Sequence, residues 1–143
     1  MTYRLGIDLG GTKIEAILID EHFQVMKRER VPTKREEGYD AILGRIVKLA
    51  KSIIKDVPDI ESPIGICTPG TIESETGLLK NSNTVCLIGK PIQKDMEKEL
   101  GIPVVMENDA NCFALAEATI GAAKKYNVVF GVILGTGCGG GIT

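Results

Sequence analysis

The sequence LGIDLGGTKIEAILID, at residues 5–20, sets a glycine turn between two apolar runs. The alternation of apolar and other residues predicts two strands, 4–9 and 13–20, joined as a hairpin by residues 10–12. We expect the glycines of this turn to take positive φ angles, which glycine adopts without steric cost. A hairpin near the start of the chain predicts a sheet that the following segments extend.

The remainder of the chain alternates extended and helical patterns. Further elements are predicted in chain order as a strand from Phe23 to about Val31, an amphipathic helix from Tyr39 to Asp56 ended by Pro58, a buried strand within 63–70, a helix over 92–100 ended by Gly101, a strand over 102–107, and a helix that begins in 108–125. Such alternation is typical of an α/β protein, with a mixed or parallel sheet and helices on its faces.

The final segment VVFGVILGTGCGGGIT, at residues 128–143, repeats the opening design of strand, glycine turn with threonine, and strand. The repetition predicts a duplicated architecture. We therefore expect the first half of a two-domain protein, with an N-terminal lobe over 1–122 and the beginning of a second lobe over 123–143. A flexible glycine tail is the alternative, although the apolar run before the glycines favours a strand.

Composition narrows the class of protein. The 143 residues carry 17 basic and 19 acidic side chains without a basic stripe, so we expect no nucleic-acid partner. Neither a signal peptide nor a membrane span is apparent, so we expect a cytoplasmic protein without a membrane partner. The four cysteines have no close pair and the single histidine lies in a polar connection, which predicts half-buried thiols rather than disulfides or a zinc site.

The first turn has the composition of a phosphate cradle. Gly10 and Gly11 let backbone amides approach an anion, and Thr12 and Lys13 add a hydroxyl and a positive charge. A plain hairpin turn is the alternative. It does not explain Asp8 within an apolar strand, where an unpaired carboxylate is costly. We therefore predict that Asp8 binds a cation, magnesium reached through water.

Two further stretches carry polar groups suited to a ligand. In ENDANCFALAEA, at 107–118, Asn108 and Asp109 stand where a strand meets a helix; they suit either an N-cap or a carboxylate that accepts a hydroxyl proton, and the two roles are compatible. In TPGTIESETGLLKNSNT, at 68–84, Gly70 permits close approach, while Asn81 and Asn83 offer donors and acceptors for sugar hydroxyls. A polar surface loop is the alternative for this second stretch.

Taken together, these motifs resemble the ROK family of bacterial sugar kinases, repressors and related proteins, within the actin-like ATPase superfamily. The resemblance spans the chain, through GIDLGGTK, PGTIESETGLLKNSNT, ENDANCFALAEA and LGTGCGGGI. It implies an actin-like (ribonuclease H-like) α/β fold with a mixed central sheet flanked by helices and the start of a second, duplicated domain. In that fold the two glycine turns are the two sides of a nucleotide clamp.

The resemblance also implies roles for individual residues. Asp109 would be the general base and Asp8 would help to place magnesium. The sugar ligands would be Gly70, Thr71, Asn81, Asn83 and Asn108. The ATP phosphates would be held by Gly10, Gly11, Thr12, Lys13, Gly135, Thr136 and Gly137.

The activity implied is that of an ATP-dependent hexose kinase acting on a hexose or an N-acetylhexosamine. Fructokinase, N-acetylhexosamine kinase and glucokinase remain open. A zinc site is expected only in a missing C-terminal part, and the full-length protein is expected to be a homo-oligomer. The alternatives are a sugar-sensing protein without turnover, and a truncated remnant with an exposed apolar surface from Val128 to Leu134. Repressors of the family begin with a helix-turn-helix, whereas this chain begins in the phosphate strand, which favours the enzyme.

Overall fold

The structure is a computed structural model that describes residues 2–57, 59–135 and 138–143. Its strands and helices follow the predicted order closely. They are β1 (Arg4–Leu9), β2 (Lys13–Ile19), β3 (Val25–Pro32), α1 (Tyr39–Ile54), β4 (Ile64–Thr68), β5 (Thr71–Ile72), β6 (Leu79–Lys80), α2 (Ile92–Leu100), β7 (Val104–Asn108), α3 (Asp109–Thr119), β8 (Phe130–Leu134) and β9 (Cys138–Ile142).

The predicted first hairpin is confirmed and lies at the centre of the main sheet. This sheet has the strand order β3-β2-β1-β4-β7. β1 is antiparallel to β2 and parallel to β4, and β2 is antiparallel to β3, so the sheet is mixed as expected. In β1 and β2 every second side chain is buried, which fixes the register, because a shift by one residue would expose the apolar set.

One face of this sheet packs against α1 and α2 to form the hydrophobic core. The predicted helix over 39–56 is confirmed with its end at Ile54, and its apolar stripe is buried while its lysines face outward. The predicted end at Pro58 falls outside the described residues. Gly101 ends α2 in the left-handed conformation, as expected for a C-terminal glycine. The largest fully buried side chains include Leu9, Ile14, Ile42, Ile46, Ile53, Ile64, Ile66, Ile92 and Met96.

A polar contact joins the two helices at the edge of this core. The Tyr39 hydroxyl donates a hydrogen bond to Asp95 Oδ2 at 2.5 Å, and the Lys90 ammonium lies 5.4 Å from the centre of the Tyr39 ring. Burial, together with the neighbouring Asp95 carboxylate, raises the pKa of Tyr39 well above its ordinary value. Tyr39 therefore remains a neutral hydrogen-bond donor at any physiological pH.

The chain divides into two compact units, Met1–Met106 and Glu107–Thr143. In the second unit α3 packs on the β8–β9 hairpin, which confirms the strand-turn-strand interpretation of residues 128–143. A Cβ on Gly141 would lie 2.1 Å from the Ala110 carbonyl oxygen, and one on Gly131 would lie 2.9 Å from the Phe113 ring. Some glycines of the hairpin are therefore required because the helix backbone comes so close.

The second unit also carries the predicted apolar surface. Val128, Phe130, Val132 and Leu134 are all exposed, Leu134 to 79%. Along β8 the exposed residues alternate with Gly131, which is buried under α3, and with the partly buried Ile133. An apolar row of this kind is typical of a surface that another chain segment or partner covers.

The cysteines are free thiols, as predicted. Cys67, Cys86 and Cys112 are half-buried, but Cys138 is exposed. The prediction of half-buried thiols is therefore wrong for Cys138, because its position in β9 faces solvent. None of the helices in the described ranges combines the length and the hydropathy that crossing a bilayer requires.

An ion-pair cluster on the outer face of β2 and β3 predicts an acid-sensitive contribution to stability. Arg30 Nε donates a hydrogen bond to Glu15 at 2.6 Å, and Arg28 Nε lies 3.3 Å from the same carboxylate. The Arg30 hydrogen bond lowers the pKa of Glu15, and the positive charges of Arg30, Arg28 and Lys13 act in the same direction against the opposing effect of burial. A carboxyl with a lowered folded-state pKa stabilises above its unfolded pKa, and this stability is lost as pH falls through the folded-state value.

Glu15→Gln is therefore expected to reduce the free energy of unfolding by about 0.2–1 kcal/mol at neutral pH. At a pH where Glu15 is protonated in both the folded and the unfolded protein, the substitution should have no effect. Urea unfolding measured across the acid range checks this. Glu99→Gln, at an exposed acid on α2, is the matched control and should show no pH-dependent difference. A Glu15→Gln deficit that persists unchanged in acid would mean that packing, and not charge, is the cause.

Candidate functional site

The predicted phosphate turn lies at the tip of the β1–β2 hairpin. Gly10 N donates to the Lys13 carbonyl at 3.0 Å and closes the turn. Neither Gly10 nor Gly11 has a positive φ, so that expectation was wrong. Gly10 is required for a different reason, because a Cβ there would lie 2.8 Å from the Lys13 carbonyl oxygen. Thr12 and Lys13 are exposed, and the amides of Gly11 and Thr12 donate no hydrogen bond to the described residues.

A buried threonine that sequence reasoning missed supports this turn from the protein interior. Thr33 follows β3 and is fully buried. Its hydroxyl donates to the Gly10 carbonyl at 2.7 Å and its amide donates to the Thr12 carbonyl at 2.9 Å. Arg45 on α1 in turn donates to the Thr33 carbonyl at 2.7 Å. The Gly10 and Thr12 carbonyl groups are thus satisfied from inside the protein, which helps to hold the shape of the turn.

Asp8 lies on the sheet face opposite the core. It is exposed, between the buried Ile7 and Leu9, and it pairs across the strands with Glu15 and with Cys67. The argument that an apolar strand would make this carboxylate costly is therefore wrong, because the alternation of β1 directs Asp8 outward. Its position one residue before the end of the strand leaves it next to the phosphate turn.

The sugar loop, residues 68–84, is a hairpin followed by an irregular segment. Thr71 pairs with Lys80 across the short β5–β6 ribbon. Gly70 has φ +111°, and a Cβ on it would lie 2.5 Å from the Lys80 carbonyl oxygen and 3.2 Å from the Ser82 amide. Asn81 takes the left-handed conformation with φ 58°. The ribbon thus brings Gly70, Thr71 and Asn81 together, as the sequence hypothesis requires.

The sugar loop ends close to the phosphate turn. Thr84 is buried, and its hydroxyl oxygen lies 3.5 Å from the point that a Cβ on Gly11 would occupy. Its amide donates to the Ser82 hydroxyl at 3.1 Å, and between these two buried residues Asn83 is exposed. The end of the predicted sugar loop therefore lies beside Gly11 of the predicted phosphate turn, and the buried Thr84 is the residue nearest to it.

In the second unit Asn108 and Asp109 begin α3. Asn108 is the N-cap, and its Oδ1 accepts a hydrogen bond from the Ala110 amide at 3.0 Å. Asp109 Oδ1 accepts from the same amide at 2.8 Å. The N-cap alternative is therefore real for Asn108. The same contacts orient the Asp109 carboxylate, whose other oxygen has no hydrogen-bond partner within the described part of the chain.

Glu107 is a further residue that sequence reasoning missed. Its carboxylate accepts hydrogen bonds from the Asn108 amide at 2.7 Å and from Asn111 Nδ2 at 3.0 Å. Asn111 Oδ1 in turn accepts from the Ile142 amide at 3.4 Å. Glu107 lies in strand β7 and Asn111 lies in the first turn of α3, so no periodic pattern of the sequence indicates this pair.

The second predicted phosphate turn is described only in part. Gly135 is exposed at the tip of the β8–β9 hairpin, and a Cβ there would meet nothing within 4 Å. Thr136 and Gly137 lie outside the described residues. Across residues 2–57, 59–135 and 138–143, no three His, Cys, Asp or Glu side chains come together in a group that could hold a metal ion.

Comparison with known proteins decides the family. The sequence model of the ROK family matches residues 4–143. The chain belongs to the ROK family. The fold agrees, because solved ROK structures superpose on this chain with its mixed sheet and flanking helices.

Three similar proteins illustrate what this chain resembles. The N-acetyl-D-glucosamine kinase of Citrobacter koseri is 41% identical over 137 residues, which are 96% of this chain and 45% of that protein. A ROK family glucokinase from Streptomyces griseus, solved in complex with glucose and AMPPNP, has a TM-score of 0.84 at 31% identity and covers 98% of this chain and 44% of its own. A ROK family transcriptional regulator, a homolog of the E. coli MLC protein, has a TM-score of 0.84 at 21% identity over 99% of this chain and 36% of its own, so it shares the fold alone. This ROK chain spans less than half the length of these relatives.

Proposed function

We propose that this chain is the N-terminal part of an ATP-dependent sugar kinase, which transfers the γ-phosphoryl group of ATP to a hydroxyl of a hexose or an N-acetylhexosamine. The observation that carries the proposal is the proximity at Thr84, where a glycine turn with uncommitted amides lies beside a loop rich in amide and hydroxyl groups. In a ROK chain that is 41% identical to an N-acetyl-D-glucosamine kinase, this pairing is suited to a phosphate donor beside a sugar acceptor.

The turn fits a nucleotide phosphate. The amides of Gly11 and Thr12 donate to no described residue, and the absence of a Cβ at Gly10 keeps the turn tight. Lys13 adds a positive charge to the same exposed tip. Backbone donors with a nearby ammonium are suited to the negative oxygens of a phosphate chain. The same role is proposed for Gly135, Thr136 and Gly137 in the second turn.

The residues also fit magnesium bound through one protein carboxylate. Asp8 is exposed next to the phosphate turn, and no three-residue acidic or histidine cluster stands among the described residues. Magnesium keeps several waters and is commonly held by one or two carboxylates together with substrate phosphates, so a single aspartate suffices. When bound, magnesium would neutralise charge that develops on the phosphate oxygens.

Asp109 is proposed as the general base. One oxygen of this carboxylate is held by the Ala110 amide, while the other is uncommitted within the described residues. The proton of the attacking sugar hydroxyl passes to Asp109 as the hydroxyl oxygen bonds to the γ-phosphorus, and the bond from phosphorus to the bridging oxygen of ADP breaks. Asn108 and Glu107 hold the start of α3 and so orient the base.

The sugar hydroxyls are proposed to bind Gly70, Thr71, Asn81, Asn83 and Asn108. Asn81 and Asn83 present both a donor and an acceptor from an exposed side chain, which is what a hydroxyl group needs. The buried Ser82 and Thr84 between and after them fix the backbone of this segment. The alternation of exposed and buried residues thus presents the two asparagines side by side.

Removing the Asp8 carboxylate is expected to weaken the use of magnesium-ATP. In Asp8→Ala, made in the full-length protein, the magnesium concentration for half-maximal activity should rise and kcat/KM for magnesium-ATP should fall by roughly 10–100-fold, by analogy with the loss of other metal-site groups. A magnesium titration of the phosphorylation rate measures this. Glu99→Ala on α2 is the control for a lost surface carboxylate, and an unchanged magnesium dependence in Asp8→Ala would remove Asp8 from the metal site.

The second candidate function is sugar sensing without turnover. The fold is shared with a ROK family transcriptional regulator, so the fold by itself is compatible with this candidate. The presence of both Asp8 and Asp109 favours the enzyme, because a sensor needs neither magnesium nor a general base. Sugar binding without phosphorylation would favour the sensor.

A further inference from the structure

A shallow pocket of about 300 Å³ opens beside the sugar loop. It is lined by Arg35 and Glu36 from the segment between β3 and α1, and by Asn83, Val85 and Cys86. Its volume lies at the lower end of the roughly 300–1,000 Å³ that is typical of small-molecule pockets, so it suits part of a small ligand. Asn83 belongs both to this pocket and to the proposed sugar site.

The two charged residues of the pocket are available to a ligand. The side chains of Arg35 and Glu36 form no hydrogen bond or ion pair with any residue in the described ranges. The adjacent Glu37, in contrast, pairs with Arg45 and lies 3.6 Å from Lys34 Nζ. Glu37 therefore has ionic partners within the fold, whereas Arg35 and Glu36 line the pocket.

The pocket also has an apolar part. Val85 is 74% exposed, and the Cys86 thiol donates to the Arg35 carbonyl at 3.6 Å, which ties the two walls together. A single exposed valine is ordinary on a protein surface. Here it lies in the same pocket as a guanidinium and a carboxylate, so the lining combines a methyl-sized apolar contact with one donor group and one acceptor group.

We infer that this pocket binds the acetamido group of an N-acetylhexosamine and thereby selects N-acetylhexosamines over plain hexoses. An acetamido group presents a methyl, a carbonyl acceptor and an N–H donor, and the pocket offers Val85, Arg35 and Glu36 for these three groups. A hydroxyl at the same sugar position has no methyl for Val85. The inference rests on the proposed function, because it takes Asn83 as a ligand of the sugar ring.

Substitutions in the full-length protein test the inference with N-acetylglucosamine and glucose as probes. Arg35→Met and Val85→Asn are each expected to lower kcat/KM for N-acetylglucosamine by about tenfold, the effect of one lost hydrogen bond to a charged group or of one lost apolar contact. The value for glucose should remain unchanged. Lys48→Met, at an exposed lysine on α1, removes the same charge away from the pocket and should change neither sugar.

Calorimetric titration of both sugars separates this inference from the proposed function. A selective loss of N-acetylglucosamine affinity in either variant supports the pocket even if the protein phosphorylates no sugar, an outcome that would overturn only the kinase. Equal losses for both sugars, or no loss for either, would overturn the acetamido pocket while leaving the kinase standing. Val85 is largely exposed, so Val85→Asn is expected to fold. This variant still decides the test if Arg35→Met fails to fold.

Discussion

Asp109→Asn in the full-length protein is expected to lower kcat by roughly 10²–10⁴-fold, the usual contribution of a general base. The substitution keeps the side-chain shape and an oxygen that accepts the Ala110 amide, so the start of α3 should be retained. It removes the group that accepts the proton of the sugar hydroxyl. Sugar affinity, measured by calorimetry, should change little, because the asparagine still offers hydrogen bonds to the ligand.

Asp56→Asn is the matched control for this substitution. Asp56 is exposed in the turn after α1, and the same chemical change there should leave both turnover and binding unaltered. Retained turnover in Asp109→Asn would remove Asp109 from the role of base. Its contacts at the start of α3 would then be purely structural.

Gly70→Ala is expected to damage the sugar loop more than any other single methyl group added to it. The positive φ of Gly70 strains a non-glycine residue by about 1–3 kcal/mol, and the new Cβ would lie 2.5 Å from the Lys80 carbonyl oxygen. The β5–β6 ribbon must therefore shift, and with it Thr71 and Asn81. We expect a lower free energy of unfolding. We also expect the sugar KM to rise by tenfold or more, which corresponds to a loss of about 1.4 kcal/mol of sugar-binding free energy.

Gly44→Ala is the matched control, because it adds the same methyl group but is expected to raise the free energy of unfolding. Gly44 lies in α1, and a Cβ there would meet nothing within 4 Å. Alanine in an exposed helix position should stabilise by roughly 0.5–1 kcal/mol and leave the sugar KM unaltered. A Gly70→Ala protein with wild-type stability and KM would show that this backbone position does not shape the sugar loop.

Local patterns were sufficient to predict most of the fold. The alternation in β1 and β2 and the helical period of α1 and α2 match their burial, because one side of each element packs in a single core. These features depend on neighbours in the sequence, which a single sequence contains.

Contacts between distant segments could not be predicted in this way. Thr33 supports Gly10 from 23 residues away, and nothing in the local pattern around Thr33 indicates that partner. Gly141 is required because α3 packs against it, and nothing in the local pattern of residues 138–143 indicates that partner. Asp8 was judged costly in an apolar strand because its outward direction depends on the register of the whole sheet.

The most direct test is an ADP-release assay of the full-length protein with ATP and magnesium, run over glucose, fructose, mannose and the N-acetylated hexosamines. The account predicts ADP release that depends on the sugar and is strongest with an N-acetylhexosamine. ADP release with none of these sugars, in a folded protein that still binds one of them by calorimetry, would contradict the kinase and favour the sensor.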